Sequence, residues 1–284
     1  MVTYPNAKIN LGLNILRKRE DGYHDIETVF FPIPLTDVLE IKDNPHGLNN
    51  IEAHFTGKKI PGDLNDNLVF KVLKELREEF YLPNMEFFLH KRIPLGAGLG
   101  GGSSDAASAM LIVNEMFGLG LDNEEMEKRI SKYGADCAFF IKNTPSLAQG
   151  IGDILKPINL SLKGKCLLIV KPSSFISTKE AYSGIIPKTP QTNISEIVSK
   201  NLTEWKFLLF NDFEISVFKN HPEIASIKET LYDMGAIYAS MSGSGSSVYG
   251  IFEKGILNFG CYKDGINAAK VFTDCFVHQS QILY

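Results

Sequence analysis

The clearest hydrophobic pattern in the chain lies near its N-terminus. Between residues 7 and 16, apolar side chains occupy every second position, at Ile9, Leu11, Leu13 and Ile15. The positions between them hold Lys8, Asn10 and Gly12. An alternation with a period of two predicts a β-strand with one buried face. We therefore expect Lys8 and Asn10 on the solvated face of that strand.

Further apolar runs predict a mixture of strands and helices. Strands are expected at residues 28–33, 38–41, 85–90, 165–170 and 271–277. Helices are expected at residues 67–80, 204–219 and 222–234, and after residue 104. Because the strands and helices do not alternate regularly, this order indicates an α+β fold.

The second group of elements begins after Pro157, which suggests two domains, residues 1–157 and 158–284. The polar segment 187–192 is expected to be a surface connection. The final strand either belongs to the second domain or returns to the first. A chain of 284 residues, 44% of them hydrophobic, is long enough to form two such cores.

Charge and hydropathy exclude several functional classes. No apolar run reaches the length of a membrane span, and the first residues lack the order of a signal peptide, so we expect a cytoplasmic protein that does not bind a membrane. A net charge of −4 argues against a nucleic-acid surface. An anionic ligand would have to be held by local donors.

The cysteines indicate neither a metal centre nor a disulfide framework. They are Cys137, Cys166, Cys261 and Cys275, widely spaced and without a CxxC pair. Cys137 follows Asp136 directly, but a small buried residue is its expected role.

A glycine-rich loop is the most informative segment of the chain. Its residues are Pro94, Leu95, Gly96, Ala97, Gly98, Leu99, Gly100, Gly101, Gly102, Ser103 and Ser104. Glycines allow a positive φ and a close approach of backbone N–H groups to a ligand. A helix follows the loop and adds unpaired N–H donors and the positive end of its dipole. Phosphate is the expected ligand.

Other interpretations of this loop fit less well. A flexible linker would not join a strand to an amphipathic helix. A Walker loop requires a lysine before the serines, where this chain has glycine. The dinucleotide pattern is matched at Gly96, Gly98 and Gly101, but the required acidic residue does not end a second strand. The protein kinase motifs His-Arg-Asp and Asp-Phe-Gly are absent.

The loop resembles the central motif of the galactokinase, homoserine kinase, mevalonate kinase and phosphomevalonate kinase (GHMP) superfamily. Residues 7–13 resemble its first motif, and residues 241–247 its third, a glycine turn between two strands. The resemblance spans nearly the whole chain. It implies a two-domain kinase fold with the active site in the interdomain cleft, and the use of ATP with Mg²⁺ but no separate metal site.

Two more segments, residues 19–24 and 133–137, resemble one branch of this superfamily, which phosphorylates the C2 hydroxyl of a cytidylyl methylerythritol in the non-mevalonate isoprenoid pathway. The alternatives are another small-molecule kinase of the superfamily and a catalytically silent nucleotide-binding protein. One departure is Asp153, where relatives usually have Glu. The oligomeric state is not predicted.

The resemblance assigns catalysis to Asp136 and Lys8. Transfer of a phosphoryl group to an alcohol needs a base for the hydroxyl proton, and Asp136 is the candidate. Lys8 would lie beside Asp136, stabilise its carboxylate and stabilise charge on the attacking oxygen. Without the resemblance, Asp136 would be assigned to a turn or helix cap and Lys8 to a solvated strand face.

The remaining site residues are assigned in the same way. The resemblance places Asn67 and Leu68 near adenine, although Asn67 could equally cap its helix. It places Asn10, Tyr23, His24 and Tyr182 at the alcohol substrate, with Tyr23 and Tyr182 as aromatic walls for the cytosine ring. Ordinary packing is the alternative for each aromatic residue. Ser103 or Ser104 could cap the helix instead of binding phosphate. Asp105, in the first turn of that helix, would suit its dipole without touching a ligand.

Overall fold

The computed structural model describes residues 1–47, 50–257 and 266–283. The strands in chain order are β1 (Val2–Thr3), β2 (Asn6–Lys18), β3 (His24–Thr36), β4 (Val38–Asp43), β5 (Ile51–Gly57), β6 (Met85–Lys91), β7 (Ser146–Gln149), β8 (Ile154–Pro157), β9 (Cys166–Lys171), β10 (Tyr238–Met241), β11 (Val248–Phe252) and β12 (Phe276–Gln281). The α-helices are α1 (Leu68–Phe80), α2 (Gly101–Phe117), α3 (Asn123–Ile130), α4 (Phe139–Lys142), α5 (Thr178–Tyr182), α6 (Ile194–Val198), α7 (Leu202–Leu208), α8 (Phe213–Asn220), α9 (Pro222–Asp233) and α10 (Ala268–Val271). The predicted α+β class is confirmed.

The chain forms two compact units that are interleaved in sequence. Unit 1 consists of Met1–Ala7, Leu35–Leu95 and Gly100–Thr144. Unit 2 consists of Lys8–Pro34, Gly96–Leu99 and Pro145–Tyr284. This division differs from the single boundary expected after residue 157, because β3 pairs with β7, which in turn pairs with β8. An early strand and two later strands thus belong to one unit.

Unit 1 is built on a four-stranded sheet with the strand order β1-β4-β6-β5. Strands β5 and β6 are parallel, and α1 connects them. Along β6, buried side chains alternate with more exposed ones: Met85, Phe87, Leu89 and Lys91 are buried. The apolar spacing of α1 likewise places Val69, Val72, Leu73 and Leu76 in the core. Helices α1 and α2, which both belong to this unit, pack against each other.

Unit 2 contains two four-stranded sheets, with the orders β2-β3-β7-β8 and β10-β11-β9-β12. Strand β9 is buried from Cys166 to Val170, as its unbroken apolar run predicts. Its core includes Leu168, Phe213 and Leu231, contributed by β9, α8 and α9. Strand β12 pairs with β9. The last strand therefore belongs to unit 2.

Three predicted elements differ from the structure. Strand β2 is buried on both faces between Ala7 and Leu13, so Lys8 and Asn10 are not solvated. The helix expected at 204–219 is divided into α7 and α8, because Asn211 lies between them and bonds to other backbone groups. The strand expected at 271–277 instead begins at Phe276, after α10.

Two exclusions made from sequence concern membranes and cysteines. None of the helices in the described ranges combines the length and apolarity needed to cross a bilayer. Cys137, Cys166 and Cys275 are free thiols, whereas Cys261 lies outside the described residues.

Unit 1 has a charged cluster inside its core. The Lys91 ammonium donates to Asp37 and, at 2.7 Å, to Asp105 Oδ2, and all three side chains are almost fully buried. Burial by itself lowers the pKa of Lys91, but the carboxylates of Asp105 and Asp37 outweigh it and raise that pKa. Lys91 is therefore charged, and both acidic side chains depend on it.

We expect Lys91→Met to destabilise the protein strongly, because it removes the cation from two buried acidic groups. Breaking a buried ion pair on one side costs about 3–5 kcal/mol, which urea denaturation would measure. The control is Lys42→Met on β4, whose ammonium lies 3.3 Å from Glu40 in an exposed pair. Such surface pairs contribute about 0–1 kcal/mol. If the two variants lose the same free energy of unfolding, the assigned role of Lys91 is wrong.

Candidate active site

The glycine loop has the backbone conformation that its sequence predicts. Gly96, Gly98 and Gly100 have φ values of +56°, +72° and +69°. Helix α2 begins at Gly101, and its N-cap is Gly100, which offers no side-chain cap. Neither Ser103 nor Ser104 caps the helix, so that alternative is wrong. The first N–H groups of α2 have no capping side chain and can bind an anion.

In unit 2, parts of the three sequence motifs are joined by hydrogen bonds. The Lys8 N–H donates to the Leu99 carbonyl at 2.9 Å. The Ser242 hydroxyl donates to the Gly98 carbonyl at 2.8 Å and accepts the Asn10 N–H at 3.2 Å. Strand β2, the glycine loop and the turn between β10 and β11 thus meet at one place.

This junction requires glycine at position 98. A Cβ atom there would lie 1.9 Å from the carbonyl oxygen of Ser242, far inside contact distance. The positive φ of Gly98 is also unfavourable for other residues. The two backbone segments can approach this closely only because residue 98 has no side chain.

Lys8 is held inside unit 2 by its neighbours. Its side chain is only 3% exposed, and its Nζ donates to Asn10 Oδ1 at 2.6 Å and lies 4.7 Å from the centre of the Phe30 ring. Asn10 Nδ2 donates to Thr28 Oγ1 at 3.1 Å, which fixes the direction of the amide. Asn10 therefore orients Lys8.

Asp136 belongs to unit 1, in a turn before α4. The Cys137 N–H donates to the Gly134 carbonyl at 3.0 Å and closes this turn. A Cβ atom on Gly134 would lie 3.7 Å from the Ser103 hydroxyl, so the turn lies against the first turn of α2. Burial raises the pKa of the Cys137 thiol to about 11, which agrees with a packing role and not with a nucleophile.

A cavity of about 160 Å³ lies in unit 1 beside the start of α2. Its lining includes Asn67, Leu68, Lys91, Gly102 and Asp105. Asn67 also caps α1, since its Oδ1 accepts the N–H groups of Val69 and Phe70. The two interpretations of Asn67 are therefore compatible. Gly102 connects the cavity to the glycine loop.

The aromatic residues expected at the alcohol substrate lie in unit 2. His24 and Tyr182 stack on each other, with ring centres 4.5 Å apart and an angle of 21° between the planes. Tyr182 also packs edge-on against Phe213. Burial, together with the nearby Lys18, lowers the pKa of His24, so the ring is neutral at pH 7. Tyr23 projects outward and is 61% exposed.

Asp153, the residue that departs from the family pattern, lies in an exposed turn. Its Oδ1 accepts the Ile151 N–H at 3.1 Å. This hydrogen bond accounts for an acidic residue at the position.

Sequence reasoning missed the roles of Lys91, Asp105 and Ser242. For Lys91 a signal was present, because it is the next residue on the side of β6 that Met85, Phe87 and Leu89 bury. A lysine on the buried side of a strand needs a buried acidic or hydrogen-bonding partner. The partners themselves, Asp37 and Asp105, lie far away in sequence, and no local pattern identifies them.

Two family profiles match the chain. "GHMP kinases N terminal domain" matches residues 67–144, and "GHMP kinases C terminal" matches residues 193–258. A 4-diphosphocytidyl-2-C-methyl-D-erythritol kinase from Bacteroides thetaiotaomicron is 53% identical, with 89% of this chain and 92% of that protein aligned. One from Parabacteroides distasonis is 48% identical, over 99% of this chain and all of its relative.

Solved structures are similar over the same extent. A crystal structure of 4-(cytidine 5'-diphospho)-2C-methyl-D-erythritol kinase has a TM-score of 0.80 and 28% identity, covering 98% of both chains. The Methanococcus jannaschii mevalonate kinase has a TM-score of 0.66 at 15% identity, covering all of this chain and 98% of that one, and shows a shared fold. The chain therefore belongs to the GHMP kinases, in the family of the 4-diphosphocytidyl-2-C-methyl-D-erythritol kinases.

Proposed function

We propose that this protein transfers the γ-phosphoryl group of ATP to the C2 hydroxyl of 4-diphosphocytidyl-2-C-methyl-D-erythritol, a step of the non-mevalonate isoprenoid pathway. Its relatives carry the name of this kinase at 45–53% identity over most of the chain. The observation that carries the proposal is the junction of the Lys8 strand, the glycine loop and the Ser242 turn. This junction fixes the backbone of the loop to which we assign phosphate binding.

The phosphates of ATP, bound as its Mg²⁺ complex, would lie at the uncapped N-terminus of α2. Backbone N–H groups between Gly98 and Ser104 supply fixed donors there, and the helix dipole favours negative charge. Phosphoryl transfer depends mainly on positioning and on stabilising charge at the phosphoryl oxygens. A loop without side chains at Gly98 and Gly100 to Gly102 suits both requirements.

Asp136 would accept the proton of the attacking hydroxyl. The hydroxyl oxygen then forms its bond to the γ-phosphorus, the bond to the bridging oxygen of ADP breaks, and ADP leaves. Lys8 would stabilise the negative charge that develops on the attacking oxygen. Asn10 would contribute by holding the Lys8 ammonium in one direction.

The cytosine ring would be selected by Tyr23, His24 and Tyr182. A ring stacked on Tyr182 would occupy the face that His24 covers, so the histidine would have to move to the ring edge. There, the neutral imidazole can pair with a cytosine donor and acceptor, which differ in uracil. Tyr23, being exposed, is able to close over the other face of the base.

The direct test is ADP release in a coupled assay with ATP and a panel of alcohols. The panel contains the cytidylyl methylerythritol, mevalonate, homoserine and galactose. We expect turnover with the cytidylyl compound alone. Preference for another alcohol would identify a different GHMP kinase, and ATP binding without turnover on any alcohol would identify a silent nucleotide-binding protein.

We expect Asp136→Asn to lower kcat by about 10²- to 10⁴-fold, because the amide keeps the shape of the side chain but cannot take a proton. The KM for ATP should hardly change. Steady-state kinetics with both substrates measures the two effects. Asp153→Asn is the control, since this exposed turn residue should tolerate the same replacement. If Asp136→Asn keeps more than about half of the wild-type kcat, Asp136 is not the base.

Gly102→Val tests the phosphate loop without disturbing the fold. A Cβ atom on Gly102 meets no atom within 4 Å, whereas one on Gly101 would lie 2.8 Å from Ile93. Valine at 102 should therefore leave thermal unfolding nearly unchanged and raise the dissociation constant of ATP at least about tenfold, by blocking the approach of phosphate. Glu115→Val, at an exposed position of α2, is the control. Equal ATP affinity in both variants would refute the assignment.

Tyr182→Ala should raise the KM for the cytidylyl substrate, because it removes base stacking worth about 1–3 kcal/mol. The KM for ATP should change little. His24→Ala should in addition reduce the preference for a cytidylyl over a uridylyl substrate. Tyr81→Ala, at a tyrosine that is 93% exposed, serves as the control. Equal use of the cytidylyl and uridylyl compounds by the unaltered enzyme would show that this pocket does not select cytosine.

A further inference from the structure

Asp105 has one carboxyl oxygen without a partner. Its Oδ2 accepts a hydrogen bond from Lys91 at 2.7 Å. Its Oδ1 is buried and has no hydrogen-bond partner among the described residues. A buried polar atom without a partner is costly, and in a native protein it calls for an explanation.

By comparison, both carboxyl oxygens of the neighbouring Asp37 accept hydrogen bonds. Asp37 Oδ1 accepts the N–H groups of Arg92 and Ile93 at 2.5 Å and 2.8 Å, and Oδ2 accepts from Lys91. These three donors provide partners for both carboxyl oxygens of Asp37. One of the partners is the Lys91 ammonium, which forms an ion pair with Asp37. A second negative charge on Asp105 would have no cation of its own.

Asp105 is therefore the acidic group of this cluster that keeps a proton. Burial raises the pKa of Asp105, Lys91 opposes this rise and Asp37 adds to it, and together they bring that pKa to about 8. Oδ2 accepts the bond from the Lys91 ammonium, which leaves Oδ1 as the oxygen that carries the proton. The unpartnered atom is then a hydrogen-bond donor.

Asp105 also lines the cavity beside the glycine loop. Much of the lining is apolar, from Ile60, Pro61, Leu68, Val69, Leu89 and Leu95. Apolar walls with few polar groups suit the flat ring of a nucleobase. The remaining charged groups facing the cavity are Lys91 from β6, and Asp63 and Asp66 from the segment before α1. Asp63 and Asp66 are exposed, so water screens their charges at the rim.

We propose that Asp105 contacts the base of the bound nucleotide, with its Oδ1–H donating a hydrogen bond to a ring nitrogen of adenine. The inference rests on the proposed use of ATP and deepens it. It makes Asp105 a specificity-determining residue for the base, whereas the sequence predicts a residue that suits the helix dipole without touching a ligand. Adenine offers three ring nitrogens as acceptors, N1, N3 and N7, and a carboxylic acid pairs with any of them.

Deaza analogues of ATP test the contact, since each replaces one ring nitrogen by carbon. Calorimetry would give the dissociation constants of ATP and of 1-deaza-, 3-deaza- and 7-deaza-ATP for three proteins: the unaltered enzyme, Asp105→Ala and Asp105→Asn. We expect one analogue to bind the unaltered enzyme about five- to tenfold more weakly than ATP. That ratio should fall to about one in Asp105→Ala. Asparagine retains an N–H donor, so Asp105→Asn should retain the preference.

The pH dependence gives a second, independent measurement. As pH rises above about 8, Asp105 loses its proton, and the KM for ATP should rise in the unaltered enzyme. In Asp105→Asn it should stay flat over the same range, because the amide does not titrate. Both proteins use the same ATP, so its own ionisation cancels in the comparison. Asp43→Ala, at an exposed acidic residue of β4, should follow the unaltered enzyme.

The outcomes separate this inference from the proposed function. The contact is wrong, and the kinase assignment stands, if ATP is turned over but no deaza analogue binds more weakly than ATP. The same holds if an analogue binds Asp105→Ala more weakly than ATP by the same factor as it does in the unaltered enzyme. An identical pH profile in Asp105→Asn also overturns the contact. If neither ATP nor any analogue binds the unaltered enzyme, the proposed function itself fails. Thermal unfolding of both variants shows whether Asp105→Ala folds, and Asp105→Asn keeps the pH test available if it does not.

Discussion

The candidate site depends on the close approach of Gly98 to Ser242. A phosphate loop binds through N–H groups, so its backbone has to be fixed by contacts that leave those groups available. Here the loop is held by its carbonyl groups: those of Gly98 and Leu99 accept hydrogen bonds from the Ser242 hydroxyl and the Lys8 N–H. This arrangement holds the loop through its carbonyl groups and not through its N–H groups. A single methyl group at residue 98 would separate the backbones and remove this arrangement.

Among the described residues, each unit has one buried lysine, and the two are held by different contacts. In unit 1, Lys91 is enclosed by two acidic side chains, which makes the cluster a permanent part of the core. In unit 2, Lys8 is held by the amide oxygen of Asn10 and by the face of the Phe30 ring. An amide and an aromatic ring orient an ammonium group without neutralising its charge. The two lysines are thus fixed by different kinds of contact, an amide and a ring for Lys8 and two acidic side chains for Lys91.

Local patterns in the sequence predicted the elements and the motifs well, but not the burial of polar residues. The alternation around Ile9 and Leu11 identified β2, yet it assigned Lys8 and Asn10 to solvent. Asn10 bonds to Ser242 and Thr28, and Lys8 contacts the Phe30 ring and the Leu99 carbonyl, all at distances in sequence that no short pattern spans. The helix expected at 204–219 has continuous helical spacing, and the break arises because Asn211 bonds to Met241 and Gly243. The family resemblance supplied Asp136, for which the local sequence alone favours a turn.

The interleaving of the two units constrains how the chain can fold during synthesis. Unit 1 is complete once residue 144 has left the ribosome, but it encloses in sequence the segment Lys8–Pro34, which belongs to unit 2. The outer edge of β3 in the β2–β3 pair must therefore wait for β7, and Asn10 must wait for Ser242. Such distant contacts close large loops, which slows folding and leaves apolar strands exposed in the meantime. A nascent chain of this protein thus carries a finished unit together with a β2–β3 pair that still lacks its further partners, and such incomplete strand edges favour aggregation.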